Sequence, residues 1–162
     1  MNKITFYAAR SLTASLILIA ALAPSGVYAH GGATGIVKER MDAMSAMADA
    51  MEVMGDMVKG KRPLKREAFV DGSNVVAEHS AEITGLFPEG SSGGKSDALS
   101  KLWQQWGQFE AMAKRTQNEA DKLGELSGNS GDNRSLKVQF IKLGKSCKSC
   151  HTDYRKKKKE KH

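Results

Sequence analysis

The residues best suited to chemistry lie near the end of the chain, in the segment Cys147-Lys148-Ser149-Cys150-His151. Cys-x-x-Cys-His is the attachment signature of a c-type haem. On a helix, at about 100° per residue, Cys147, Cys150 and His151 share one face. Two thiols there can form thioethers with the two vinyl groups of one porphyrin, and the adjacent imidazole can bind its iron. The motif therefore predicts one covalently attached haem c, with His151 as the proximal iron ligand.

Three other uses of this motif are weaker. A zinc site normally needs four nitrogen or sulfur ligands, and the chain has only two cysteines. A redox-active cysteine pair does not require the histidine that follows it. A disulfide would close a loop of a few residues and would stabilise the fold little. Haem attachment is the interpretation that uses all three side chains.

The start of the chain has the pattern of a secretory signal peptide. Lys3 and Arg10 supply positive charge, an apolar stretch ends at Leu22, and Ala29 suits a cleavage site. The apolar stretch is short for crossing a bilayer, so we expect cleavage and no transmembrane segment in the mature chain. Because haem thioethers form outside the bacterial cytoplasm, signal and motif together predict a periplasmic protein.

Charge and composition divide the chain into three parts: a cleaved signal peptide (1–29), one domain (30–155) and a basic tail (156–162). Of the net charge of +7, most lies at the end, where six basic residues fall between Arg155 and Lys161. This tail lacks interleaved aromatic residues, so we do not expect nucleic-acid binding. It is typical of a solvated helix end, or of a docking segment for an acidic redox partner or anionic lipid.

Hydrophobic periodicity predicts an all-α protein, an antiparallel four-helix bundle with the haem on its C-terminal helix. Apolar residues repeat at steps of three and four within four segments, which is typical of bundle helices. The first three predicted helices span about 34–59, 65–85 and 97–126, and Asp132 or Asn133 can cap the last one, which carries the haem motif. The inward positions of the first are Val37, Arg40, Met44, Met47, Met51, Met54 and Val58, and those of the last are Leu136, Phe140, Leu143, Cys147, His151 and Tyr154. Ser96 or Asp97 is the expected N-cap of the third helix, after a turn-rich loop over 86–96.

Arg40 and Met44 are the inward residues of the first helix that suit a haem. A buried guanidinium needs an anion to offset its desolvation, and a haem propionate would supply one to Arg40. Met44, one turn later, would then lie beside the porphyrin, where a thioether can serve as a soft axial ligand. Met41 and Met47 are close enough in sequence to compete with Met44 for this role.

Four amphipathic helices with the haem motif on the last one resemble the class II c-type cytochromes, the cytochrome c-prime family. The loop from Phe87 to Gly90 and the Tyr154-Arg155 pair are also similar to that family. The resemblance implies one of two branches, with either a five-coordinate iron or a low-spin, six-coordinate iron completed by a methionine four residues after an arginine. Arg40 followed by Met44 resembles the second branch. This resemblance implies Met44 and His151 as axial ligands and Arg40 beside a propionate.

These inferences predict a periplasmic carrier of single electrons between redox partners, and not an enzyme. The alternative is a five-coordinate haem protein that binds nitric oxide or carbon monoxide. A peroxidase-like enzyme would need a distal acid–base group, and His79 is the only mid-chain candidate; a packed core histidine is its usual role. The sequence leaves a homodimer and the identity of the redox partners open.

Overall fold

The computed structural model describes residues 32–129 and 132–157. The predicted signal peptide and residues 158–162 of the predicted tail lie outside the described residues. Within these ranges the chain forms four long helices and one short helix, joined by loops and a single 3₁₀ turn at Ile83–Leu86. The helices are α1 (Gly35–Val58), α2 (Arg66–Glu82), α3 (Lys101–Gln104), α4 (Trp106–Gly128) and α5 (Asn133–Tyr154). The predicted all-α bundle is confirmed, and none of these helices is long and apolar enough to cross a membrane.

The four long helices pack in chain order, and the contacts between them are unequal. Helices α2 and α4 approach most closely, because small residues face each other at their crossing. The hydroxyl oxygen of Ser73 lies 2.9 Å from the position that a Cβ on Gly124 would occupy. Helices α1 and α5 make the least contact of the four neighbouring pairs. The bundle is therefore tightly closed on one side and open on the other.

The buried stripes of α1 and α5 are offset from the predicted ones. Helix α1 buries Arg40, Ala43, Met47, Met54, Gly55 and Met57. Helix α5 buries Leu136, Gln139, Leu143, Ser146 and Tyr154. The side chains that the sequence placed inward at Met44 and Cys147 are only half-buried, and His151 is exposed. The reason is that α2 and α4 cover the central stripes, while the edges of α1 and α5 face each other across the open side.

The predicted third helix is broken and starts later than expected. Gln105, with φ of −119° and ψ of 38°, separates α3 from α4. Neither Ser96 nor Asp97 is an N-cap, since α3 begins only at Lys101. The preceding residues instead bind the end of α5: the amide of Leu99 donates to the carbonyl oxygen of Tyr154 at 2.9 Å. A tertiary pairing thus replaces the first helical turn.

Of the two residues that suit an N-cap at the start of α5, Asp132 and Asn133, the structure uses the first. The side chain of Asp132 accepts a hydrogen bond of 2.8 Å from the amide of Ser135. A second bond of 2.8 Å runs from the hydroxyl of Ser135 to the same carboxylate. An N-cap satisfies backbone donors that have no partner inside the helix, and it therefore fixes where the helix that carries the haem motif begins.

Candidate haem site

The two thiols and the imidazole of the motif lie in the last two turns of α5. Cys150 and His151 line a cavity on the open side of the bundle. Cys147, one turn earlier, is half-buried and packs against the hydrophobic core. The thiol of Cys150 therefore lies at the cavity, and that of Cys147 packs against the core one turn earlier on the same helix.

The register of α1 against α5 places Met44 opposite His151. Two glycines show how the helices are aligned. A Cβ added to Gly55 would lie 3.5 Å from the ring of Phe140, and a Cβ added to Gly144 would lie 3.9 Å from the side chain of Met51. The two helices are antiparallel and rise by the same distance per residue. The same pairing, continued seven residues toward the start of α1 and the end of α5, therefore brings Met44 opposite His151. Both side chains line the cavity. Gly144 leaves room for the side chain of Met51, and it does not line the cavity.

The cavity has a volume of about 500 Å³ and mainly apolar walls, which is within the usual range for a bound small molecule or cofactor. One wall is α1, the opposite wall is the end of α5, and the loop before α3 closes one end. The lining residues on α1 are Val37, Arg40, Met41, Met44, Ser45 and Ala48, those of the loop are Lys95, Ser96, Asp97 and Ala98, and those at the end of α5 are Cys150, His151, Tyr154 and Arg155. Phe87 and Phe109 form the floor with Ile83 and Leu102.

Burial shifts the pKa values of the thiol and imidazole groups of this site in the direction that favours their uncharged forms. Desolvation, with smaller contributions from the charges of Cys147 and Asp153, raises the pKa of Cys150 to about 11. Burial also raises the pKa of Cys147. His151 is exposed as a residue, yet partial burial of its imidazole and the nearby charge of Arg155 lower its pKa. A neutral imidazole is the form that binds iron, so the donor set fits a covalently attached haem.

Arg40 is buried beside the cavity and is held by neutral acceptors. Its Nε and Nη2 donate to the carbonyl oxygen of Leu86 at 3.0 and 2.8 Å. Nη1 donates to the hydroxyl oxygen of Ser96 at 2.8 Å and to the carbonyl oxygen of Ser91 at 3.3 Å, and Nη2 donates to the hydroxyl oxygen of Ser91 at 2.7 Å. The guanidinium also lies 3.9 Å from the centroid of the Phe87 ring. All five donors are used, so a propionate would have to replace one of these acceptors, and the role of Arg40 toward a propionate stays a prediction.

The loop that binds Arg40 is also tied to the end of α5. The amide of Lys156 donates to the carbonyl oxygen of Asp97 at 2.8 Å, and its Nζ donates to the carbonyl oxygen of Ser96 at 2.8 Å. Ala98 and Arg155 form an antiparallel bridge, and the Arg155 guanidinium lies 3.4 Å from the Asp97 carboxylate. Ser96 thus links α1 to the residues just after the haem motif, which fixes the end of the cavity.

The candidate methionines and the candidate histidine differ in whether they line the cavity. Met41 and Met44 line the cavity. Met47 is buried in the core, where its sulfur accepts a hydrogen bond of 3.7 Å from Ser80. His79 is half-buried on α2, with Nδ1 3.8 Å from the Glu82 carboxylate, and it does not line the cavity. Met47 is thereby removed as a competitor of Met44, and the cavity lacks the acid–base group that a peroxidase-like reaction would take from His79.

The cavity-lining residues that sequence reasoning missed are those of the loop from Lys95 to Ala98. One signal could have found them. A buried arginine needs several acceptors, and the serine-rich loop after α2 offers hydroxyl and carbonyl oxygens at Ser91 and Ser96. The bond between this loop and the end of α5 has no local sequence pattern.

Comparisons by family model, by sequence and by structure all find cytochrome c' proteins. A family model described as Cytochrome C' matches residues 35–155. Cytochrome c' from Pararhodospirillum photometricum is 30% identical over 120 residues, which cover 74% of this chain and 94% of that protein. The solved cytochrome c prime from Shewanella frigidimarina is 33% identical, with a TM-score of 0.71 over 75% of this chain and 94% of that one. A solved nitric oxide complex of a variant cytochrome c prime from Alcaligenes xylosoxidans is 32% identical, with a TM-score of 0.68 over 76% and 94% of the two chains.

These comparisons correct one prediction. The chain was expected to carry electrons through a six-coordinate iron bound by both Met44 and His151, as in the low-spin branch. That prediction is wrong: the three similar proteins described above are cytochromes c', and one of them is solved with nitric oxide. A permanently bound methionine would occupy the iron position that a gas needs. The alternative reading, a five-coordinate haem open to a gas, agrees better with the relatives.

Proposed function

The chain belongs to the cytochrome c' family, and we propose that it is a periplasmic haem protein that binds nitric oxide or carbon monoxide. Like the family, it carries a single covalently attached haem c. The observation that carries the proposal is the apolar cavity between α1 and α5, with His151 on one wall and Met44 on the other. The nitric oxide complex of the Alcaligenes relative supports the same reading.

Three residues of α5 hold the haem in this proposal. Cys147 and Cys150 form the thioethers, and His151 binds the iron from the proximal side. The haem supplies an iron with one coordination position open to a diatomic gas. All three residues lie on one helix. Asp132 fixes the start of this helix, and hydrogen bonds from Lys156 to Ser96 and Asp97 bind its end, so the backbone that carries the motif is held in a defined position.

The α1 wall determines what reaches the open side of the iron. Met44 is half-buried, and its neighbours on that wall include Met41 and Ala48. Met44, Met41 and Ala48 offer no charged group, and the donors of Arg40 on the same wall are all used by the loop. The surroundings of Met44 therefore favour a small neutral gas over water or an anion. Methionine is flexible, so Met44 can make room without unfolding α1. In this proposal Met44 is a wall residue and not an iron ligand.

Optical spectra of the purified haem protein, oxidised and reduced, with and without carbon monoxide, test the proposal. We expect a high-spin spectrum that shifts when the gas is added. Met44→Ala should leave the haem covalently attached and high-spin, and should speed carbon monoxide binding several-fold by opening the wall. Met57→Ala, which shortens a buried methionine outside the cavity, is the control and should leave the binding rate unchanged.

Two results would contradict the proposal. A low-spin spectrum that carbon monoxide does not change would mean that the iron has no open position. Conversion of such a spectrum to high spin in Met44→Ala would identify Met44 as an axial ligand. Loss of haem from Met44→Ala under denaturing conditions would instead contradict attachment through Cys147 and Cys150.

A further inference from the structure

The outer surface of α5 carries a basic face that no part of the proposed gas-binding site uses. We define it by seven residues with exposed positions: Arg134, Lys137, Val138, Ile141, Lys142, Lys145 and Lys148. Val138 and Ile141 are two of the three large hydrophobic residues that are exposed in the described part of the chain, at 47% and 49%. The basic face therefore combines an apolar centre with a cationic surround.

Helix geometry gathers these side chains on one surface. At about 100° per residue, Ile141 points directly away from the buried stripe that contains Leu143, and the five cations lie within about 100° of Ile141. Asp153 is the only acidic residue within α5, and it projects about 120° away from Ile141. No carboxylate of α5 therefore neutralises the basic face.

Neighbouring helices do not neutralise it either. In the described part of the chain, Lys137, Lys142, Lys145 and Lys148 make no ion pair, whereas lysines elsewhere, such as Lys61 with Asp56, do. Like charges along one helix repel one another and lower its stability slightly. Unpaired cations around exposed aliphatic side chains are the arrangement of an interface, where an apolar centre is surrounded by a polar rim.

We propose that the basic face docks an acidic one-electron donor protein that reduces the haem iron. Carbon monoxide binds only ferrous haem, so the proposed function requires a source of single electrons. One electron would leave the redox group of the donor and convert ferric iron to ferrous iron, and no atoms would be transferred. The face lies on the helix that carries Cys147, Cys150 and His151, and its Lys148 end belongs to the same two turns as these residues, so only the width of this helix would separate a donor docked there from the residues that hold the haem. This inference rests on the proposed function only for the presence and use of the haem.

The size and charge of the face favour this occupant over others. From Arg134 to Lys148 it is about 21 Å long, which suits the small interfaces of transient electron-transfer complexes. A second copy of this chain would bring the same positive charges together, which costs free energy. An anionic membrane surface would favour large apolar and aromatic side chains on the bound helix, and the face offers only Val138 and Ile141.

The test compares two double variants with the same change of charge. Lys137→Glu/Lys145→Glu reverses two charges of the basic face. Lys114→Glu/Lys122→Glu reverses two exposed charges on α4 with the same eight-residue spacing. Stopped-flow absorbance would follow reduction of the ferric haem by an acidic flavodoxin in its hydroquinone form, at low and high ionic strength. Reduction by a small uncharged reductant and carbon monoxide binding would be measured on every protein.

We expect the α5 variant to be reduced by flavodoxin roughly tenfold more slowly at low ionic strength, because electrostatic steering raises association rates by about that factor or more. The α4 variant should change by less than about twofold, and the difference should shrink near 1 M salt, where the Debye length is about 3 Å. Reduction by the small reductant and gas binding should be the same in all proteins. If the Glu variant does not fold, Lys137→Gln/Lys145→Gln should show a smaller effect in the same direction.

Equal rates for the α5 variant and the unmodified protein would overturn the inference, and so would equal slowing in the α4 variant, which would indicate an effect of net charge alone. Binding to phosphatidylglycerol vesicles that depends on Lys137 and Lys145, without a change in reduction by flavodoxin, would assign the face to a membrane instead. Failure of carbon monoxide to bind the unmodified protein would contradict the proposed function. The rates of reduction by flavodoxin could still be compared, because they do not depend on gas binding.

Discussion

Arg40 holds a positive charge inside the protein without a carboxylate partner. It is 5% exposed, and burial lowers its pKa. Five hydrogen bonds to Leu86, Ser91 and Ser96, and the ring of Phe87 beneath the guanidinium, offset its desolvation. The side chain therefore positions the loop that closes the cavity, whether or not a propionate also approaches it.

Replacing Arg40 with lysine should destabilise the protein by about 2–3 kcal/mol, because an ammonium group cannot reach acceptors in the fork geometry of a guanidinium and leaves several of them unpaired. Urea unfolding of the haem protein would measure this loss. Arg115→Lys, at an exposed arginine on α4, is the matched control and should stay within about 0.5 kcal/mol of the unmodified protein. Equal stability of the Arg40 variant would show that the loop contacts contribute little.

At the scale of elements, the close contact between α2 and α4 depends on Gly124, which has no side chain. A Cβ at Gly124 would lie 2.9 Å from the hydroxyl oxygen of Ser73. That hydroxyl donates to the carbonyl oxygen of Val70 at 3.0 Å, so it cannot turn away without losing its hydrogen bond. The close approach of these two helices holds one side of the bundle firmly while the other side remains open.

We expect Gly124→Ala to destabilise the protein by about 1–2 kcal/mol, since overpacking at the α2–α4 contact outweighs the better helix propensity of alanine. Adding Ser73→Ala should recover part of this loss, which a double-mutant cycle in urea would measure. Gly107→Ala, also in α4, has no atom within 4 Å of the added Cβ and should be neutral or stabilising. No recovery in the double variant would place the strain elsewhere.

The start of α5 predicts a pH dependence of stability. Hydrogen bonds from Ser135 lower the pKa of the Asp132 carboxyl. A carboxylate with a lowered folded-state pKa contributes its full stabilisation above the unfolded-state pKa of about 3.9 and loses it as the pH falls through the folded-state value. Asp132→Ala should therefore lower the melting temperature at pH 7, and the difference should narrow below about pH 3.9.

Circular dichroism melts between pH 2 and pH 7 would test this dependence. Asp121→Ala, which removes an exposed carboxylate from the interior of α4, is the control and should show little difference at either pH. If the melting temperature of Asp132→Ala stays below that of the unmodified protein by a constant amount down to pH 2, the capping role of the carboxylate is contradicted.

At the scale of the whole molecule, the cavity between α1 and α5 makes the fold dependent on its cofactor. Contacts such as Gly55 with Phe140 and Met51 with Gly144 join these two helices, and no other neighbouring pair of long helices makes so little contact. The haem would supply the missing apolar contacts over the rest of the interface. Binding to the folded but not the unfolded chain stabilises the fold, so cofactor and bundle support each other.

Cys147→Ser/Cys150→Ser, which prevents thioether formation, should give a protein that melts about 5–10 °C or more below the haem-bound form. It should also bind a dye for exposed apolar surface, because the cavity walls lose their cover. Differential scanning calorimetry and dye fluorescence would measure both effects. An equally stable haem-free protein would mean that the bundle closes over the cavity by itself.

The sequence by itself determined the parts that depend on neighbouring residues. Apolar repeats at steps of three and four indicated the helices, Asp132 or Asn133 indicated the start of the last one, and the Cys-x-x-Cys-His motif indicated the cofactor. These patterns are local, so hydrogen bonding within a turn and the side-chain chemistry of five residues are enough to define them. Residues 30–155 could accordingly be assigned to a bundle before any contact was known.

Only the tertiary structure decided how the helices turn toward one another. Met44 and Met47 both fit an inward position in sequence, and packing against α2 buries Met47 while Met44 borders the cavity. Ser96 fits an N-cap, yet long-range hydrogen bonds with Arg40 and Lys156 hold it in the wall of the site. Such choices depend on contacts between residues some 50 to 60 positions apart. Their free energies depend on how whole helices pack, which no local pattern contains.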